Sequence, residues 1–96
     1  MSASIKHIEY FLPEKVLSNE ELQQEFPDRD VAKMAKKIGV FSRHIVDKTQ
    51  TALDLGELAC NKLFESYDKN KIDFIVLCTQ SPDYYLPTSA CLLQQR

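Results

Sequence analysis

Apolar and polar positions along this chain fall into short runs, each closed by a residue able to stop it. Residues 4–11 (SIKHIEYF) alternate and finish on β-favouring side chains before Leu12-Pro13, which predicts a strand. At Ser18 the run S-N-E-E forms a capping box with Glu21 at the third helical position, so a short helix should run to about Glu25 and stop at Pro27. Asp28 can cap the next helix. There Val31, Met34, Ala35 and Ile38 recur at helical spacing, and Gly39 supplies the stop. Residues 40–46 (VFSRHIV) read as a short strand.

Thr51 with Asp54 makes a second capping box, opening a helix from 52 to about 67. Asp54, Glu57, Asn61 and Glu65 form its polar stripe, and the small residues Gly56, Ala59 and Cys60 allow close approach to a neighbour. Residues 72–77 (IDFIVL) are nearly continuously apolar, the pattern of a parallel strand covered on both faces. A proline-bounded loop, 81–87 (SPDYYLP), leads to a last helix begun by Thr88 or Ser89, which reaches Arg96 without a stop signal. Strand 4–11 can pair with strand 72–77 through a right-handed crossover, with one edge left open. The expectation is one α/β domain over residues 1–96, truncated, that needs self-association or a missing half to cover its strand.

Composition narrows the function classes. The chain has 96 residues, 44% hydrophobic and 27% charged, which describes a small globular domain rather than a disordered tail. A net charge of −2 gives no bias toward nucleic acid or an anionic membrane. No run suits a membrane span or a signal peptide, so cytoplasm is the default expectation. Cys60, Cys78 and Cys91 contain no CxxC pair and sit in apolar contexts, which reads as three reduced core residues rather than disulfides or a zinc site. The only glycines, Gly39 and Gly56, exclude a phosphate-binding glycine loop or a dinucleotide fingerprint. No cofactor and no metal are expected.

Candidate chemistry is sparse. His7 and His44 have no companion carboxylate or nucleophile in view and read as solvated or structurally bonded. Glu20 and Glu21 are explained by the dipole of the helix they open. The basic set Lys33, Lys36, Lys37, Arg43 and His44 reads first as a solvated face beside a helix C-terminus. Its second reading is an anion site for a phosphate or a carrier protein. Cys91 lies a few residues inside its helix with no base in view, so a buried, inert thiol is expected ahead of a nucleophile.

The order of segments carries more than any one of them. Y-F-L-P-E-K-V followed by S-N-E-E-L resembles the start of β-ketoacyl-acyl-carrier-protein synthase III enzymes, typically "YLPE-V-TN--L". Residues 39–45 (GVFSRHI) are similar to that family's "GI--RHI" turn. T-x-x-x-D-L-G-x-x-A and then KIDFIVLCTQSPDYYLPTSACLLQQ resemble its helix, its "I--I-V-TTTPD---PS-A--+Q" strand and the helix that follows. The resemblance runs through nearly the whole chain.

It implies the N-terminal part of a thiolase-like fold. It also implies a homodimeric parent enzyme that condenses a primer acyl-CoA with malonyl-acyl carrier protein, as in fatty-acid biosynthesis. The family's Cys nucleophile and its His and Asn would all lie beyond Arg96, so this piece is expected to be inactive alone. Cys91 matches a position on the preceding helix. Where family members often carry a Trp and an Arg around the CoA adenine, counting back from Gly39 places Lys33 and Lys37; Lys37 keeps a cation for a phosphate. Leu86 matches the residue that reaches across the dimer to line the partner's acyl pocket. Rival readings are a stand-alone interaction or regulatory module with half of this fold, a piece of a hydroxymethylglutaryl-CoA synthase-like or secondary-metabolite synthase, and an enzyme using Cys91.

Overall fold

The computed structural model describes residues 1–96, and they gather into two compact units, Leu12–Lys48 and Met1–Phe11 with Thr49–Arg96. In Leu12–Lys48, strand β1 (Lys15–Ser18) pairs antiparallel with β2 (Ser42–Ile45), with Lys15 opposite Ile45 and Ser18 opposite Ser42. Between them lie helices α1 (Asn19–Glu25) and α2 (Val31–Ile38). Leu17, Val31 and Ala35 are buried together with Pro13.

Local chemistry sets these boundaries. The Ser18 hydroxyl accepts from Glu21 N–H at 3.2 Å, and the Glu21 carboxylate accepts from Ser18 N–H at 2.9 Å, so both halves of the predicted capping box form. Asp30, rather than Asp28, caps α2 by accepting from Lys33 N–H at 3.0 Å. Gly39 ends α2 at φ 73°, the left-handed conformation that costs a residue with a Cβ.

Gln23 joins the two helices. Its amide donates to the carbonyls of Phe26 (3.1 Å) and Arg29 (2.6 Å), and its oxygen accepts from Val31 N–H (3.1 Å). Three backbone groups at the α1–α2 link are thereby satisfied by one side chain.

The other unit holds α3 (Ala52–Phe64), a 3-10 turn (Lys69–Lys71) and α4 (Ser89–Gln95). Leu53 is its most buried side chain, at 2% exposure. The Thr51/Asp54 capping box forms as the sequence predicts. Lys62 near the end of α3 donates to Tyr10 O at 3.1 Å, and His7 meets the Tyr67 ring edge-on at 5.1 Å, so residues 7–10 lie against the C-terminal part of this segment. Arg96 reaches back to Asp54 and Glu57 on α3 at 2.7 and 2.9 Å.

Several expectations need correction. Residues 4–11 form no ladder, and neither do residues 72–77; the two-stranded β1–β2 sheet is the one sheet present. The stretch 74–79 does alternate, with Phe74, Val76 and Cys78 exposed and Ile75, Leu77 and Thr79 half-buried, the period-two mark of an extended chain. It is covered on one side, where Leu77 approaches Gly56 of α3, and not on both. Periodicity reports side-chain direction, whereas a ladder also requires a partner backbone. The observed strand β1 falls in a stretch the sequence reading left between elements, and α3 ends at Phe64 rather than near residue 67. The architecture remains α/β, with a small sheet and four α-helices.

Candidate functional site

Lys33 and Lys37 stand one turn apart on α2, both exposed, and neither makes an ion pair. Lys36 beside them is likewise exposed and unpaired; Lys36 and Lys37 lie in the last turn, where the helix dipole favours positive charge, whereas Lys33 stands in the first turn behind the Asp30 cap and not beside the C-terminus as the sequence suggests. The other two members of the predicted basic set do not join them. Arg43 is occupied within its own unit, donating to Asn19 Oδ1 at 2.6 Å and toward the carbonyls of Leu17 and Ser18. His44 Nδ1 lies 2.6 Å from Pro13 O; a carbonyl only accepts, so Nδ1 carries the proton and the ring is fixed to the chain before β1. His7 also has a structural contact, the edge-on ring of Tyr67.

A cleft of about 530 Å³ opens between α1 and α2, with Val31, Ala32, Ala35 and Phe41 as its apolar lining and Glu20 and Lys36 as charged members. Lys36 therefore belongs to this cleft, while Lys33 and Lys37 do not line it. The sequence reading missed the cleft, because Phe41 reads there as a strand residue with no sign that it faces α2.

Leu86 belongs to the other unit, in the loop between Leu77 and α4. It is 80% exposed, next to Tyr85 at 98%, and precedes Pro87 through a cis peptide bond. At the base of that loop, Asp83 Oδ2 accepts from the Thr51 hydroxyl at 3.3 Å. The Asp54 carboxyl is held below the usual carboxylate range, chiefly by the hydrogen bond from Arg96 and then by that from Thr51 N–H. Arg96 is correspondingly pushed up by Asp54 and Glu57.

The cysteines are all free, and their burial differs from expectation: Cys78 and Cys91 are exposed and only Cys60 is half-buried. Burial pushes the Cys60 thiol up, away from thiolate character. Cys91 Sγ accepts from the Thr88 hydroxyl at 3.3 Å, a contact that offers no base to generate a thiolate. No group of His, Cys, Asp and Glu is arranged to hold a metal ion, and no helix is long and apolar enough to cross a membrane.

No family model matches the chain. Among individual relatives it is 39% identical over 88 residues, 90% of its length, to a β-ketoacyl-[acyl-carrier-protein] synthase III of Xanthomonas campestris. It is 35% identical over 88 residues to the β-ketoacyl-[acyl-carrier-protein] synthase III of Methylococcus capsulatus. The crystal structure of a 3-oxoacyl-(acyl-carrier-protein) synthase III superposes on 92% of this chain with a TM-score of 0.77 and 46% identity. The chain spans 27% of each of these three proteins.

Proposed function

We propose that this chain, which belongs to the β-ketoacyl-[acyl-carrier-protein] synthase III family and shares part of its thiolase-like α/β fold, serves an acyltransferase that condenses an acyl-CoA primer with malonyl-acyl carrier protein. The observation that carries this reading is likeness over nine tenths of the chain in sequence and in backbone together. Residues 1–96 then belong to one thiolase-like domain. Acyl transfer of this kind needs an activated cysteine, and a His and an Asn to hold the malonyl thioester. None of the described residues is arranged for either role, so we propose that the 96-residue chain alone performs no condensation.

Within this reading Lys33 and Lys37 supply charge to a CoA phosphate from the exposed face of α2. Lysine offers a point charge and no flat stacking face, so the contact is electrostatic and should weaken with salt. Leu86, exposed in the loop between Leu77 and α4, lines the acyl pocket of a partner subunit, which makes the working form a homodimer in the cytoplasm. An apolar pocket discriminates among primers by about 1–3 kcal/mol per methylene. Replacing Leu86 with Phe or Ala in the complete synthase should therefore change kcat/KM in a graded way along a series of primer lengths. A uniform change across all primers would remove the pocket role and leave the family membership untouched.

A second reading, an interaction module, is favoured by one observation: Phe74 and Val76 are about four-fifths exposed on a segment without a ladder. On that reading the chain associates with itself through the bare face. A folded monomer by light scattering across a wide concentration range would exclude it.

A further inference from the structure

We infer that Asp83, through the Thr51 hydroxyl, is a positioning residue for the loop that carries Leu86, an inference that rests on the acyl-pocket reading above. The Thr51 hydroxyl lies 3.1 Å from Asp54 Oδ2 and 3.3 Å from Asp83 Oδ2, and it has a single proton to give. Asp54 is already supplied: Thr51 N–H donates to its Oδ2 at 2.7 Å, and Arg96 donates to its Oδ1 at 2.7 Å. The proton adds most at Asp83, which is half-buried and receives it at the foot of the loop. One residue at the start of α3 thus closes its own helix and fastens a loop more than thirty residues away in sequence.

The far side of the loop is held differently. Thr88, the N-cap of α4, makes no capping hydrogen bond to a backbone N–H; its hydroxyl turns to Cys91 Sγ instead. Arg96, at the other end of α4, grips Asp54 and Glu57. Asp83 and Arg96 therefore bracket the segment by meeting the same short stretch of α3. Tyr84, Tyr85 and Leu86 project between those two fastenings, and all three are exposed. Releasing Asp83 frees the tip on its N-terminal side while the capping box of α3, which does not involve Asp83, stays intact.

Limited chymotrypsin digestion of the 96-residue chain tests this, because cleavage after Tyr84 or Tyr85 reads how often the tip opens. Asp83→Ala should be cut there about three to ten times faster than the wild-type chain, the population change expected for one lost hydrogen bond. Asp83→Asn keeps an acceptor oxygen and should restore the wild-type rate, and Thr51→Ser, which keeps the hydroxyl, should do the same. Equal cleavage of Asp83→Ala and wild type, with unchanged circular dichroism, would overturn the inference. In the complete synthase, Asp83→Ala should shift primer-length selectivity in the same direction as Leu86→Ala. An unchanged length profile alongside faster cleavage would overturn the role of Leu86 and reduce the pair to a loop tether.

Discussion

Within Leu12–Lys48, local and distant partners together meet the backbone's needs: the Ser18 capping box and Gln23 act over three to eight residues, whereas the β1–β2 ladder and the bonds of Arg43 to two carbonyls and Asn19 join positions 24 to 30 apart. In Met1–Phe11 with Thr49–Arg96, α3 is capped in the same way, but α4 has no side-chain cap, and residues 1–11 and 73–79 have no ladder and expose Ile5, Ile8, Phe74 and Val76. Both regions are built from the same kinds of residue. The difference lies in the partners of the extended segments: β1 has β2, whereas residues 1–11 and 73–79 have none. Caps and stops find theirs within about four residues, whereas an extended segment needs a second backbone that local sequence cannot supply.

That contrast can be tested from its strongest point downward. Leu53→Ala removes the most buried side chain of the longer unit and should cost about 2–5 kcal/mol in urea denaturation. Gln23→Ala acts in the other unit without emptying a core. It leaves the half-buried Val31 N–H without its acceptor and should cost about 1–3 kcal/mol by the same measurement.

The two glycines should respond with opposite signs. Gly39→Ala places a Cβ at φ 73° and should destabilise by about 1 kcal/mol. Gly56→Ala, in the interior of α3, brings its Cβ to an ordinary 3.9 Å from Leu77 Cδ1 and should stabilise by about 0.5–1 kcal/mol. A loss at Gly56 would mean that α3 and Leu77 are packed more tightly than this spacing.

Acid should act on both regions most gently. Glu21 is lowered mainly by Ser18 N–H, and Asp54 mainly by Arg96. A carboxyl lowered on folding contributes stability above its unfolded pKa and loses it as pH falls through the folded value. Helix content should therefore hold at neutral pH and decline only below the ordinary carboxylate range, near pH 4. Glu21→Gln and Asp54→Asn should flatten that decline.

What was legible in the sequence follows the same division. The S-N-E-E and T-x-x-D boxes, the apolar spacing of α2 and the Gly39 stop were readable because each signal and its partner lie within one or two helical turns. Asp28 and Asp30 look alike as caps from sequence, and only backbone geometry chose Asp30. The strand expectation at 72–77 named the right side-chain rhythm and the wrong pairing, because alternation carries no information about a partner strand.

The candidate positions divide in the same way. Lys33 and Lys37 are placed relative to Gly39 by counting along one helix, and α2 holds both. The Thr51–Asp83 contact joins residues 32 apart in sequence, and no local pattern announces it. The apolar neighbours of Cys91 predict burial, yet its place on α4 leaves it exposed.

The proposal on which the functional reading turns is that this chain of the synthase III family carries no acyl group on a cysteine of its own. Intact-mass measurement after incubation with a short acyl-CoA tests it most directly. Protein mass should stay unchanged, with Cys60, Cys78 and Cys91 all still free. A stable single-acyl adduct that maps to Cys91 and is released by hydroxylamine would contradict it.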